Sequence, residues 1–154
     1  MRKPEISIAP EDLRRPEVQR LIALSDAYLE ALYPADSNHL ADAVALAAPG
    51  TVFLVARSNG EALGSIAFRV IGPKHAEMKR MFVRAEARGH GLGRRLLEAL
   101  EQAAQSRQIA RISLETGIRQ PEAVGLYRAA GYRECPPFGD YAPDPLSLFM
   151  TKRL

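Results

Sequence analysis

The sequence predicts one α/β domain over residues 1–154, a mixed, mostly antiparallel central sheet flanked by helices in the order β-α-α-β-β-β-α-β-α-β. Three observations carry this. Segments of helical and of strand period succeed one another along the chain, with no linker, internal repeat or low-complexity tract between them. Three β-rich runs follow each other between residues 51 and 83 with only short turns between them, so they pair antiparallel. The later strands alternate with helices, which makes the sheet mixed.

Residues 5–9 alternate well enough for a first strand, which Pro10, Glu11 and Asp12 end. Pro16 suits the first turn of a helix. From 17 to 32, Val18, Leu21, Ile22, Leu24, Leu29 and Leu32 give an amphipathic helix that stops at Tyr33-Pro34. A polar loop, 35–38, leads to a second short helix over 39–47, with Pro49-Gly50 as its stop. Residues 51–56 are β-rich, Ser58-Asn59-Gly60 is a hairpin turn, and 61–71 form the return strand. Gly72-Pro73 turns the chain into a strand over 77–83, where Met78, Phe82 and Val83 supply apolar bulk.

A polar, glycine-rich turn, 84–90, then feeds a helix that begins between Gly91 and Gly93. Leu92, Leu96, Leu97, Leu100, Ala103 and Ala104 form its apolar face, opposite Arg94, Arg95, Glu98, Glu101 and Gln102. Residues 109–115 make a strand that Thr116-Gly117 interrupts. A helix over 121–130 is opened by Pro121 and closed by Gly131. A loop stiffened by Pro136, Pro137, Pro143 and Pro145 leads into a closing strand over 146–150.

Composition narrows the functional classes. At 154 residues, 47% hydrophobic and 25% charged, the chain suits one globular domain with a real core. It has no apolar run of membrane-spanning length and no signal-peptide h-region, so a cytoplasmic location away from membranes is expected. The single cysteine, Cys135, excludes an intrachain disulfide framework and a cysteine-rich zinc site, and no metal is expected. The net charge of +3, with basic and acidic residues interleaved, offers no stripe for nucleic acid. The cluster of Arg80, Arg84, Arg88, Arg94 and Arg95 suits a compact phosphorylated ligand instead.

The start of the helix after the glycine-rich turn is where such a ligand fits. Main-chain N–H groups there lack intrahelical partners and the helix dipole adds positive charge. Gly89, Gly91 and Gly93 let a phosphate approach the backbone, and Arg88 and Arg94 add fixed charge. A P-loop is excluded because Gly93 is followed by Arg94-Arg95 rather than Lys-Ser/Thr. A dinucleotide fingerprint is disfavoured by Leu96 at its third glycine and by Arg111-Ile112 where its acidic residue belongs.

Arg88-Gly89-His90-Gly91-Leu92-Gly93, R-x-x-G-x-G between a strand and a helix, resembles the acetyl-CoA-binding motif of the GCN5-related N-acetyltransferases (GNATs). A second stretch, from Gln120 to Tyr132, resembles the family's C-terminal helix pattern N-x-x-A-x-x-L-Y-x-x-x-G-F. Ala123, Leu126, Tyr127, Gly131 and the aromatic Tyr132 match it, while Gln120 replaces the usual asparagine. Together the two motifs and the strands between them cover about half the chain.

The resemblance implies a GNAT-like fold. It also implies acetyl transfer from acetyl-CoA, as acyl donor, to an amine by direct attack in a ternary complex. Arg88, Gly89, His90, Gly91, Leu92, Gly93 and Arg94 would then hold the pyrophosphate through their main chain. Met81, Phe82 and Val83 would pair with the pantetheine arm, and the amide of Phe82 or Val83 would face the thioester carbonyl. Gln120 would contact the cofactor, and Tyr127 would protonate the leaving thiolate.

For the base that deprotonates the amine, Glu77 is the first candidate and Glu115 the second, with His39 and His75 more remote. Alternation puts Glu77, Lys79, Met81 and Val83 on one side of their strand, so a plain ion pair with Lys79 competes with a catalytic role for Glu77. Tyr28, Tyr33 and His39 would face the acceptor from the first two helices. Phe138 and Tyr141 on the proline-rich loop would line a small-molecule amine acceptor. The resemblance also raises a homodimer paired through C-terminal strands. The rival function is an acyl-CoA-binding sensor or regulatory module without turnover, against which Tyr127 argues.

Overall fold

A computed structural model describes residues 5–34 and 48–154. The expected second helix over 39–47, and His39 with it, lie outside the described residues. The described chain runs β1 (Ile6–Pro10), α1 (Pro16–Leu32), β2 (Thr51–Ser58), β3 (Glu61–Gly72), β4 (His75–Val83) and α2 (Leu92–Ser106). It continues through β5 (Arg111–Gly117), α3 (Pro121–Ala129), β6 (Arg133–Glu134) and β7 (Ser147–Arg153). The strands form one sheet in the order β1-β2-β3-β4-β5-β7-β6. Only β4 and β5 pair in parallel, so antiparallel pairing dominates as predicted. The two-residue β6 was not expected, since so short a stretch has no period to detect.

The two sheet faces are covered by different helices. Leu92, Leu96, Leu97, Leu100 and Ala104 of α2 form the predicted stripe and pack on Ile66, Phe68, Met78, Ile112 and Leu114, joined by Tyr127 and Tyr132. Each leucine buried there stabilises the fold by about 1.5–3 kcal/mol relative to an exposed one. On the opposite face, Val18 and Leu21 of α1 pack on Phe53, Val55, Ala67 and Phe82. The hairpin turn at Asn59 and Gly60 has φ of 51° and 78°, the left-handed pair that a two-residue hairpin requires.

Simple alternation fails on β4. Ala67 pairs with Lys79 and Ser65 with Phe82, so Arg80 and Met81 together stand opposite Ile66. This is a β-bulge, with Arg80 at φ 56° and its carbonyl accepting a hydrogen bond from Ser65 Oγ at 2.8 Å. Beyond the bulge the faces exchange. Glu77 and Lys79 point away from the α2 core, whereas Met81 and Val83 pack against it and Phe82 turns to α1. The expectation of Glu77, Lys79, Met81 and Val83 on one side therefore holds only for the first two.

The bulge also opens the sheet. The β4–β5 ladder runs from His75↔Arg111 to Met78↔Leu114 and stops, while β4 continues to Val83 and β5 to Gly117. A bulge bends its strand and increases the local twist, which turns β4 away from its parallel neighbour.

Candidate active site

The fork between the diverging strands is an open cleft. Its walls are residues 78–82 of β4 and residues 114–117 of β5, with Ser25, Tyr28 and Tyr33 from the α1 side and Gln120 and Tyr127 from the α3 side. On the side facing β5, the main chain of Met81, Phe82 and Val83 has no strand partner among the described residues. An extended, amide-bearing arm can add to such an edge.

Next to this edge lies the start of α2. Gly91 is its N-cap at φ 74°, with no side-chain cap, and a Cβ placed on it would meet no protein atom within 4 Å. The bond from the Arg95 N–H to the Gly91 carbonyl is 3.2 Å, so the N–H groups of Leu92, Gly93 and Arg94 precede the first intrahelical turn. A Cβ on Gly93 would sit 3.0 Å from Met81 Cε and 3.2 Å from Leu126, which sets the helix start tightly between β4 and α3. The arrangement fits a pyrophosphate on the helix start and its arm along β4.

The basic side chains behave differently from one another. Arg88 folds back, donating from Nε to the Val83 carbonyl at 2.9 Å, with its guanidinium 4.9 Å from the Tyr28 ring centre. Arg94 stands in solvent beside Glu98, Nε to Oε1 3.2 Å, and His90 is exposed. Arg80 is buried in the cleft wall and bonded to Asp26 of α1.

Tyr127 reaches the cleft from α3 and is only 4% exposed, with its ring edge-on to Tyr132 at 6.0 Å. Burial pushes its hydroxyl pKa up, so the proton is held. Gln120, the N-cap of α3, accepts a hydrogen bond at Oε1 from the Tyr33 hydroxyl at 3.2 Å. The same hydroxyl accepts the Arg119 N–H at 3.1 Å. Tyr33, which caps α1, sets the hydroxyl end of its ring against Gly117, and this contact ties α1 to the end of β5. Of the expected substrate-wall tyrosines, Tyr28 and Tyr33 therefore both line the cleft.

The acidic residues divide. Glu77 is 1% exposed and bound on three sides: Arg69 Nε at 2.9 Å, the Tyr141 hydroxyl at 2.5 Å and Lys79 Nζ at 3.3 Å. Lys79 in turn donates to the Tyr141 hydroxyl at 2.6 Å. Glu77 does not line the cleft, and the ion pair expected with Lys79 is present. Glu115 does line it and accepts a hydrogen bond from Ser147 Oγ at 2.6 Å. His75 is drawn into a chain on the sheet face, Nε2 to Ser113 Oγ 2.7 Å and Ser113 Oγ to Thr151 Oγ1 2.9 Å, away from the cleft. Phe138 and Tyr141 pack edge-on or tilted against Phe149 over the same face, and Tyr141 touches the cleft wall at Lys79.

Sequence reasoning had not singled out Ser25, Asp26, Thr116 or Ser147. None belongs to a motif, and only the meeting of α1, β5 and β7 brings them together. Lys79 was seen only as an ion-pair partner, because nothing in the sequence marks where β4 and β5 part.

The comparisons with known proteins agree with this geometry. The profile of the acetyltransferase (GNAT) family matches residues 18–132. The chain is 47% identical over 153 residues to an IAA acetyltransferase of Azospirillum brasilense, covering 98% of this chain and 99% of that protein. A Klebsiella pneumoniae structure described as an acyl-CoA N-acyltransferase superposes with a TM-score of 0.85 at 36% identity, over 97% of both chains. The PaiA N-acetyltransferase of Thermoplasma acidophilum, crystallised in complex with coenzyme A, shares the fold at a TM-score of 0.74 and 15% identity, over 97% of this chain and 99% of that one. A forked sheet beside a glycine-capped helix start, a profile match across most of the chain and an end-to-end relative lead to one assignment: the chain belongs to the GNAT family and is an N-acetyltransferase of that type.

Proposed function

We propose that this protein moves an acetyl group from acetyl-CoA to the amine of a small-molecule acceptor, by direct attack within the fork between β4 and β5. The observation that carries this is the convergence of a strand edge with no partner among the described residues, a helix start and a buried tyrosine. Acetyl-CoA supplies the activated acetyl thioester. The main chain from Arg88 to Arg94 holds its diphosphate, and Met81 to Val83 pair with its arm. The amide of Phe82 or Val83 is directed at the thioester oxygen, where negative charge grows during attack.

Tyr127 supplies the proton that the leaving thiolate takes. Its raised pKa keeps that proton in place until a thiolate is present. Glu115, rather than Glu77, takes the role of the base. Glu77 is sealed behind Arg69, Lys79 and Tyr141, whereas Glu115 lines the cleft on the strand beside α3. Gln120, in place of the family's asparagine, lines the cleft and is held there by the Tyr33 hydroxyl.

The test is thiol release from acetyl-CoA across an amine library, with Tyr127→Phe beside the native protein. Turnover that falls about 100-fold or more in the variant, with acetyl-CoA affinity kept, supports the acid role. Unchanged turnover removes Tyr127 from the mechanism. No release with any amine refutes the transfer reading.

A further inference from the structure

The loop between Ala87 and Leu92, whose main chain is given above to the diphosphate, has few ties to the rest of the protein. Ala87 and Leu92 are buried and anchor its two ends. Between them Gly89 and Gly91 have φ of 84° and 74°, and a Cβ on either would meet no protein atom within 4 Å. His90 is exposed. Among the described residues, Arg88 is the one side chain of this loop that makes a hydrogen bond or a ring contact. Glycine gives up more conformational freedom on ordering than any other residue. The affinity of such a loop for a ligand therefore depends on what fixes it beforehand.

Arg88 is fixed at three points. Its Nε donates to the Val83 carbonyl at 2.9 Å, and its guanidinium lies 4.9 Å from the Tyr28 ring centre and 5.9 Å from that of Phe82. The two rings lean on each other at 6.1 Å, and Tyr28 packs on the cluster beneath α1. Val83 stands opposite Gly64, while the next N–H, that of Arg84, bonds to the Leu63 carbonyl at 2.9 Å. Alternation along the strand therefore turns the Val83 carbonyl away from β3, towards the fork. The guanidinium thus stands where an arm paired with β4 ends and its diphosphate begins.

Two of the three points, Val83 and Phe82, belong to β4 itself, and Tyr28 alone comes from another element. Resting on the acetyl-transfer reading above, we infer that Tyr28 serves the donor rather than the acceptor: it is a positioning residue whose ring seats the Arg88 guanidinium and so sets the diphosphate loop. The face of the ring does this, not its hydroxyl, which makes no hydrogen bond among the described residues.

The experiment is the Kd of acetyl-CoA by calorimetry for the native protein, Tyr28→Phe, Tyr28→Leu, Arg88→Met and the Tyr28→Leu/Arg88→Met double variant. Tyr28→Phe keeps the ring face and should bind within about 2-fold of the native protein. Tyr28→Leu should bind about 3- to 10-fold more weakly, the worth of one cation–π contact. Arg88→Met should lose at least as much, because its charge goes too. In the Arg88→Met background Tyr28→Leu should cost less than about 2-fold, since the ring then has no guanidinium to seat. General damage to the fold would instead add to the Arg88→Met loss. Melting without ligand checks that each variant is folded, and Tyr28→Met takes the place of a Tyr28→Leu protein that is not. An unchanged Kd in Tyr28→Leu, an equal loss in Tyr28→Phe, or additive losses in the double variant overturn the inference and leave the transfer reading standing. The expected pattern in a protein that turns over no amine refutes the transfer and keeps the seat of Arg88. No binding of acetyl-CoA by the native protein overturns both.

Discussion

The contact between Tyr33 and Gly117 gives a measurable test of how α1 is tied to the end of β5. A methyl on Gly117 would lie 1.7 Å from the Tyr33 hydroxyl, 2.1 Å from Cζ and 2.7 Å from Cε1. Carbon atoms in contact sit about 3.5–4.0 Å apart, so the ring must leave. It then loses the bonds to the Arg119 N–H and to Gln120 Oε1. Two such bonds contribute about 0.5–1.5 kcal/mol each. Burial of the ring, now 8% exposed, contributes about 1.5–3 kcal/mol, by analogy with other large apolar side chains.

Gly117→Ala should therefore cost about 2.5–6 kcal/mol. In a chain of this size each kcal/mol moves Tm by about 2–4 °C, so the drop is roughly 5–24 °C by circular dichroism. Gly117 has no left-handed φ, so the backbone itself accepts alanine and the loss reports the ring alone. In a Tyr33→Ala background the second substitution should add less than about 1 kcal/mol, because the two residues share one contact. Additive losses, or a Gly117→Ala protein melting within about 2 °C of the native one, would refute the proposed packing of Tyr33 over β5.

Other expectations concern the helix ends, one ion pair and the cofactor loop. Gln108 follows α2 at φ 61°, a conformation glycine adopts without strain, so Gln108→Gly should stabilise by about 0.5–1 kcal/mol in urea unfolding. Arg57 grips Glu11 through Nε and Nη2 at 2.7 Å each, which holds the Glu11 carboxyl below its ordinary 4.5. Because the native value is lowered, this stabilisation is full above pH 4.5 and is lost as pH falls through the native value. Arg57→Ala should cost about 1–3 kcal/mol at pH 7, with the gap to the native protein closing on acidification. Gly91→Ala places a methyl at φ 74° where no protein atom is near. It should destabilise by about 1–2 kcal/mol. Any additional weakening of acetyl-CoA in calorimetry, expected at about 10-fold, reports the ligand's approach to the main chain.

Much of the architecture was legible in the residues. The stripe of α2, the Asn59-Gly60 hairpin, Pro16 and Pro121 opening helices and the glycine-capped start of α2 are local matters, decided by side-chain period and by φ preference. The motif from Arg88 to Gly93 is legible for the same reason, since a helix start with open backbone N–H groups is written in one short stretch. The fork was not legible. It arises because Arg80, a residue with no preference for positive φ, is held in that conformation by the carbonyl bond from Ser65 across the sheet. That bulge reverses which side chains face α1, and with it the parallel ladder ends at Met78. The sealing of Glu77 and the placement of Glu115 on the cleft wall follow from distant partners, such as Tyr141, 64 positions from Glu77, and Ser147, 32 positions from Glu115. The sequence by itself determined the elements, the glycine-rich turn and the candidate tyrosine; tertiary structure alone decided which carboxylate lines the cleft, because burial and ion pairing depend on contacts between segments that no local pattern encodes.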